Sequence, residues 1–210
     1  MLYNQIFYNV LKILAENGET RTVTLLKLSK TSINNMFVSE PLVFDHLVET
    51  GGAYFVISPI SESSATYFLI DWGDSKINNE IRHLYMPGNY RVKIYGKKIR
   101  YINFDSGISN IQNFITIGRI GLVSLAFLFY KSEFNGIIGP DWDTTNIKSV
   151  KAMFGLNKKF NRKFGLNWDT TNITDMSYMF GYADLTNLLI DASKVIDMSQ
   201  MFLCATNFDQ

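Results

Sequence analysis

The sequence predicts an α+β chain in three parts: an N-terminal helical segment, a small antiparallel β-sandwich and a short repeat solenoid. Three observations carry this. Apolar residues near the start recur at helical spacing. The next stretch alternates in the two-residue rhythm of strands. The last half repeats a fourteen-residue phrase, once as "DWDTTNIKSVKAMF" and once as "NWDTTNITDMSYMF".

The helical segment covers residues 1–37. Leu2, Ile6, Phe7, Val10, Leu11 and Leu14 line one helical face, and Gly18 stands where a helix ends. A second helix is expected near residues 32–37. The β module covers residues 38–104. "AYFVISPI" and "TYFLIDW" are rich in aromatic and β-branched residues, which suit a pleated surface. In "NYRVKIY" the residues Tyr90, Val92 and Ile94 face one way, and Arg91 and Lys93 face the other. "GDS" and "PGN" supply turns.

Residues 105–210 are periodic. Trp142 and Trp168 lie 26 apart, as do Phe154 and Phe180. Asp175-Met176 returns as Asp197-Met198 after 22 residues, and "IGLVSLAFLFYKSEFN" is an earlier, diverged copy. A period in the twenties marks a solenoid of the leucine-rich-repeat kind, because a unit this short cannot bury its own apolar face and must stack. Ile173, Met176, Met179 and Phe180 are spaced by 3, 3 and 1. That spacing predicts a short strand bending into a helical turn. Asn146 and Asn172 are placed to satisfy backbone groups at the bend.

Composition excludes several functions. The formal net charge is +1, so no global field pulls the chain toward nucleic acid or an anionic membrane. The single cysteine, Cys204, forms no internal disulfide. No apolar run reaches the ~20 residues of a membrane span, and the first residues lack the basic start of a signal peptide.

The repeat resembles that of BspA-type bacterial surface proteins, the DUF285 group. Their phrase, roughly W-D-T-S-N-V-T-D-M-S-x-M-F, is met closely at residues 168–180, less closely at 142–154, where Lys148 and Val150 depart, and weakly at 190–202. "IDWGDSKINNEIRHLYMPGNYRVKIYG" is similar to a PKD-like module, with Asp71, Trp72, Gly73, Asp74, His83, Tyr85, Pro87, Gly88 and Tyr90 matching and Ser75 in place of a glycine. The resemblance covers residues 50–210. It implies a secreted or cell-surface protein that adheres to, or contacts, other proteins without catalysis. The missing leader leaves a cytoplasmic location open.

The chemical candidates have plainer explanations. Asp71 and Asp74 could hold calcium, but calcium wants more oxygen ligands than "DWGD" supplies, and a turn clamp is preferred. His83 has no nucleophile motif beside it and is assigned to structure. Cys204 is expected as a small buried filler. The basic run "RVKIYGKKIR" is expected on the solvent side of a strand. Residues 10–36, "VLKILAENGETRTVTLLKLSKTSINNM", could form a helix-turn-helix for DNA, with Ser29 to Met36 entering its recognition helix. The charge over residues 1–50 is poor for it: Lys12, Arg21, Lys27 and Lys30 are outnumbered by Glu16, Glu19, Glu40, Asp45 and Glu49.

The sequence therefore points to a non-enzymatic protein with no catalytic set, cofactor or metal site. Its partner is expected to be a protein on a host or neighbouring-cell surface. The partner-binding face falls on Lys148 and Ser149, Thr174 and Asp175, and Ile196 and Asp197, the exposed positions of three successive rungs. Nothing after Phe202 reads as a polar cap, so the apolar edge of the last unit is expected to meet a continuation of the array, a second copy of the chain in self-association, or a docked partner, in that order.

Overall fold

The computed structural model describes residues 40–49, 53–60, 68–106, 110–140, 142–162, 168–183 and 190–208. Strand β1 (Leu42–Val48) alternates buried and half-buried side chains along its length. It sits inside a six-stranded sheet with β3 (Phe68–Asp71), β4 (Ile77–Asn78), β6 (Gly88–Gly96), β8 (Ile111–Thr116) and β9 (Ile137–Ile138), in the order β4-β3-β6-β1-β8-β9. A second sheet has the order β5-β2-β7, from β5 (Arg82–Tyr85), β2 (Ala53–Ile60) and β7 (Tyr101–Ser106). Every pairing is antiparallel except β8 with β9. The two sheets meet through aromatic rings. Phe44 of β1 lies 5.6 Å from Phe55 of β2 and 5.5 Å from Phe104 of β7 across the two sheets, and 5.6 Å from Phe114 of β8 beside it in its own sheet.

The loop after β3 is pinned by its own aspartates. Asp71 accepts the Gly73 amide at 3.0 Å, and Asp74 accepts the Lys76 amide at 3.2 Å. Gly73 has φ +82°, and a Cβ there would lie 2.8 Å from the Arg91 carbonyl, so only glycine fits. Ser75 carries φ 75°, at a cost of about 1 kcal/mol.

Beyond β8 the repeats stack. Ser124, Ser149, Asp175 and Asp197 are joined in sequence by single parallel bridges. Each unit then runs through a string of turns whose rings form columns. Phe129, Phe154, Phe180 and Phe202 stack face to face at 5.2, 5.7 and 5.8 Å. Trp142 and Trp168 stack at 5.8 Å. Phe114 meets Phe129 edge-on at 5.6 Å, so the β module covers the first ring of the column.

These observations overturn the α+β class. Nine strands and no α-helix occur among the described residues, and the chain is all-β there. The N-terminal helix over residues 1–37 lies outside the described residues. The solenoid is overturned as well: the regular hydrogen-bonded sheets belong to residues 42–138, and the later repeats are joined by isolated bridges and by bonds between turns, without strands of their own.

The physical reason lies in the backbone. Each unit holds two residues in the left-handed region, four positions apart: Phe127 and Lys131, Ala152 and Leu156, Tyr178 and Tyr182, Gln200 and Cys204. A left-handed residue at that interval stops an α-helix from propagating. Alternate amides instead donate to the next unit. Val150, Ala152, Phe154 and Leu156 bond the carbonyls of Asp175, Ser177, Met179 and Gly181 at 2.7–3.0 Å. The amides between them close tight local turns, as from Met153 to Val150 at 3.1 Å and from Gly155 to Ala152 at 3.0 Å. Four bonds to the neighbour compensate the strained φ values that no isolated unit would sustain.

Candidate functional site

The bridge positions carry a second repeated device. Ser124 and Ser149 accept the amide two residues on, from Ala126 at 3.1 Å and Lys151 at 3.2 Å. Asp175 and Asp197 do the same for Ser177 at 2.9 Å and Ser199 at 2.8 Å. Each side chain thus fixes the entry into the turn run that follows. The Asp197 carboxyl is held below the usual carboxylate range, chiefly by its bonds from the Ser199 hydroxyl and amide.

The six face residues expected from the sequence therefore divide by role. Ser149, Asp175 and Asp197 turn toward the backbone, and Ser149 also donates to the Asp175 carboxylate at 3.3 Å. Lys148, Thr174 and Ile196 stand exposed beside them on successive rungs, Ile196 at 85%. Their spacing is fixed by backbone bonds. The Thr174 amide donates to the Lys148 carbonyl, and the Ile196 amide to the Thr174 carbonyl, both at 2.9 Å.

A second surface has no counterpart in the sequence-based expectations. Phe127 and Tyr130 meet edge-to-face at 5.4 Å, and Tyr178 and Tyr182 lie 6.3 Å apart. Tyr130 and Tyr178 converge over Gly155, where a Cβ would lie 2.9–3.0 Å from both rings. The result is an aromatic strip crossing three units, with Phe127 47% and Tyr182 41% exposed. The signal was present at the left-handed positions and their neighbours, where aromatic, small and polar residues alternate from unit to unit while the core stays constant.

The acid and thiol candidates have local partners or open exposure. Besides its turn bond, Asp74 lies 2.9 Å from His83 Nε2. His83 is stacked on the buried Trp72 at 4.8 Å, and the Tyr85 hydroxyl donates to the Trp72 carbonyl at 2.9 Å. Among the described residues no group of three or more His, Cys, Asp or Glu gathers as a metal site would. Cys204 corrects an expectation: it is exposed, not buried. In the basic run, Arg91 pairs with Asp45 through Nε at 2.8 Å. Among the described residues no helix is long and apolar enough to cross a membrane.

A stack of short units, each held by its neighbour, defines a repeat protein. Residues 106–210 match the family model described as Mycoplasma protein of unknown function, DUF285. The chain belongs to this BspA-like family. Nothing among proteins of curated function, and nothing among solved structures, matches it.

Proposed function

We propose that the chain is a non-enzymatic adhesion or interaction protein, displayed at the cell surface or secreted, that binds a protein through the exposed face of its stacked repeats. The observation that supports this is the row of Lys148, Thr174 and Ile196. Three side chains of different chemistry stand on rungs whose spacing the backbone fixes, so the face is organised before it meets a partner. The β module acts as its base; the "DWGD…H-x-Y-x-x-P-G" likeness to PKD-like modules of surface proteins agrees with that role. The other class of function, DNA binding by a helix-turn-helix, falls on residues outside the described ones.

The test is adhesion of beads carrying the chain to host or neighbouring cells. The triple variant Lys148→Ala, Thr174→Ala, Ile196→Ala is expected to lose adhesion about tenfold or more, the signature of removed contact residues, with an unchanged Tm. Undiminished adhesion would remove the face from consideration.

Self-association through the last unit is a companion proposal. Ile196, Met198 and Leu203 expose apolar surface there. Sedimentation should show concentration-dependent association that Leu203→Asp weakens; a strictly monomeric chain at high concentration overturns it.

A further inference from the structure

The aromatic strip ends at a hollow of about 250 Å³ lined by Lys158, Tyr182, Ala183, Cys204, Thr206 and Asn207. We propose that this hollow binds a carboxylated sugar residue of an acidic glycan. This is a site apart from the Lys148–Thr174–Ile196 face.

The lining is amphipathic in the way a sugar is. Tyr182 offers an exposed ring, and a sugar needs one flat apolar surface for its C–H face. Lys158, Thr206 and Asn207 carry polar side chains suited to the hydroxyls around the sugar's edge. Among the described residues lining the hollow, Lys158 carries the one charge and no carboxylate stands beside it, which favours an anion there. Lys131, with its ammonium 5.3 Å from the Tyr130 ring, extends the same sign along the strip.

The backbone that carries the ring is set before binding: Tyr182 has φ 57°, and its amide donates to the Leu203 carbonyl at 2.7 Å. The volume lies below the range of drug-sized pockets, which suits one sugar ring better than a folded peptide. A glutamate side chain would reach Lys158 yet leave the ring face of Tyr182 uncovered.

The test titrates the 210-residue chain with glucuronic acid, N-acetylneuraminic acid, glucose and a capped glutamate tripeptide, followed by NMR and calorimetry. The acidic sugars are expected to bind with Kd of about 1 mM and to shift the Tyr182 ring signals, with glucose about tenfold weaker. Lys158→Gln should abolish the preference for acid, and Tyr182→Ala should abolish binding. Tyr182→Phe, which keeps the ring, should retain most of it and guards against misfolding of the alanine variant. The proposal is overturned if acid and neutral sugars bind alike, if Lys158→Gln changes nothing, or if no sugar binds at about 50 mM. Equal or tighter binding of the tripeptide also overturns it, in favour of an acidic protein segment. None of these results bears on the adhesion variants, so the two proposals fail separately.

Discussion

Phe180→Ala is expected to destabilise the chain by about 3–5 kcal/mol, the range for emptying a large aromatic site in a packed core. Phe180 is fully buried, with Phe154 stacked on one side at an interplanar angle of 4° and Phe202 on the other at 10°. Its removal takes a ring from the middle of the column, where neither neighbour can close the gap without leaving its own unit. Its amide bonds the Met201 carbonyl at 2.9 Å, so any collapse would also disturb the ladder between units. Chemical denaturation measures the loss. Met86→Ala, at a side chain 67% exposed, serves as the control and should fall within about 0.5 kcal/mol of the parent. A neutral Phe180→Ala would mean that the column contributes nothing to the stack.

The second large effect is a loss of stability in mild acid caused by His46. This residue lies on β1, 2% exposed, 4.4 Å from the Phe55 ring and 5.0 Å from the Tyr85 ring. Neither ring nitrogen has a hydrogen-bond partner among the described residues. Burial disfavours the charged imidazolium and pushes its pKa down to about 4. The unfolded chain therefore takes up the proton first, near pH 6.5, and folding is opposed as the pH falls. Stability is complete above about pH 6.5 and declines by about 3 kcal/mol as the pH drops toward 4. Paired carboxylates act lower. Asp45, held below its usual range by the hydrogen bond from Arg91, gives up its contribution only below about pH 4. His46→Leu should flatten the profile between pH 6.5 and 4, as read by Tm against pH. It should also raise stability, because an unpaired buried polar group disappears. An unchanged slope in that variant would assign the acid sensitivity elsewhere.

Much of this architecture was legible before any coordinates. The 26-residue spacing of Phe154 and Phe180 predicted that they stack, because short units can bury rings only against their neighbours. The alternation of Arg91, Val92, Lys93 and Ile94 predicted a strand with one buried face, and Val92 and Ile94 are fully buried. Asn172 was expected to satisfy backbone at a bend, and its side chain donates to the Thr145 carbonyl at 2.7 Å.

What the sequence concealed was the conformation between core residues. A spacing of 3, 3 and 1 is shared by a helical turn and by a run of tight turns with left-handed residues. Glycine or asparagine would have marked the second choice. Here the positions hold Phe127, Ala152, Tyr178 and Gln200, and the amides of the first three are bonded to another unit. The aromatic strip was hidden for the same reason, since its direction follows from that backbone. His46 escaped notice because nothing local distinguishes a histidine between two sheets from one on a strand's outer face.

The ladder between units also has a polarity. Within a unit, Met176, Tyr178, Phe180 and Tyr182 send their amides forward to Asp197, Ser199, Met201 and Leu203, whose carbonyls receive them. Each unit consequently gives mainly on one side and receives mainly on the other, like a stacking cup, with the Lys148 and Thr174 carbonyls as the acceptors on the giving side. In the last unit the giving side comprises the amides of Met198, Gln200, Phe202 and Cys204, which meet no acceptor among the described residues. Two copies brought together there by a two-fold axis would set four donors against four donors, and an ordinary strand edge would mismatch at every second position. A receiving side fits all four. On a second copy that side rests under Phe114, whose ring would have to move aside. Growth along the stack is thus directional, and the four amides of this edge favour another unit's receiving side over a closed symmetric pair.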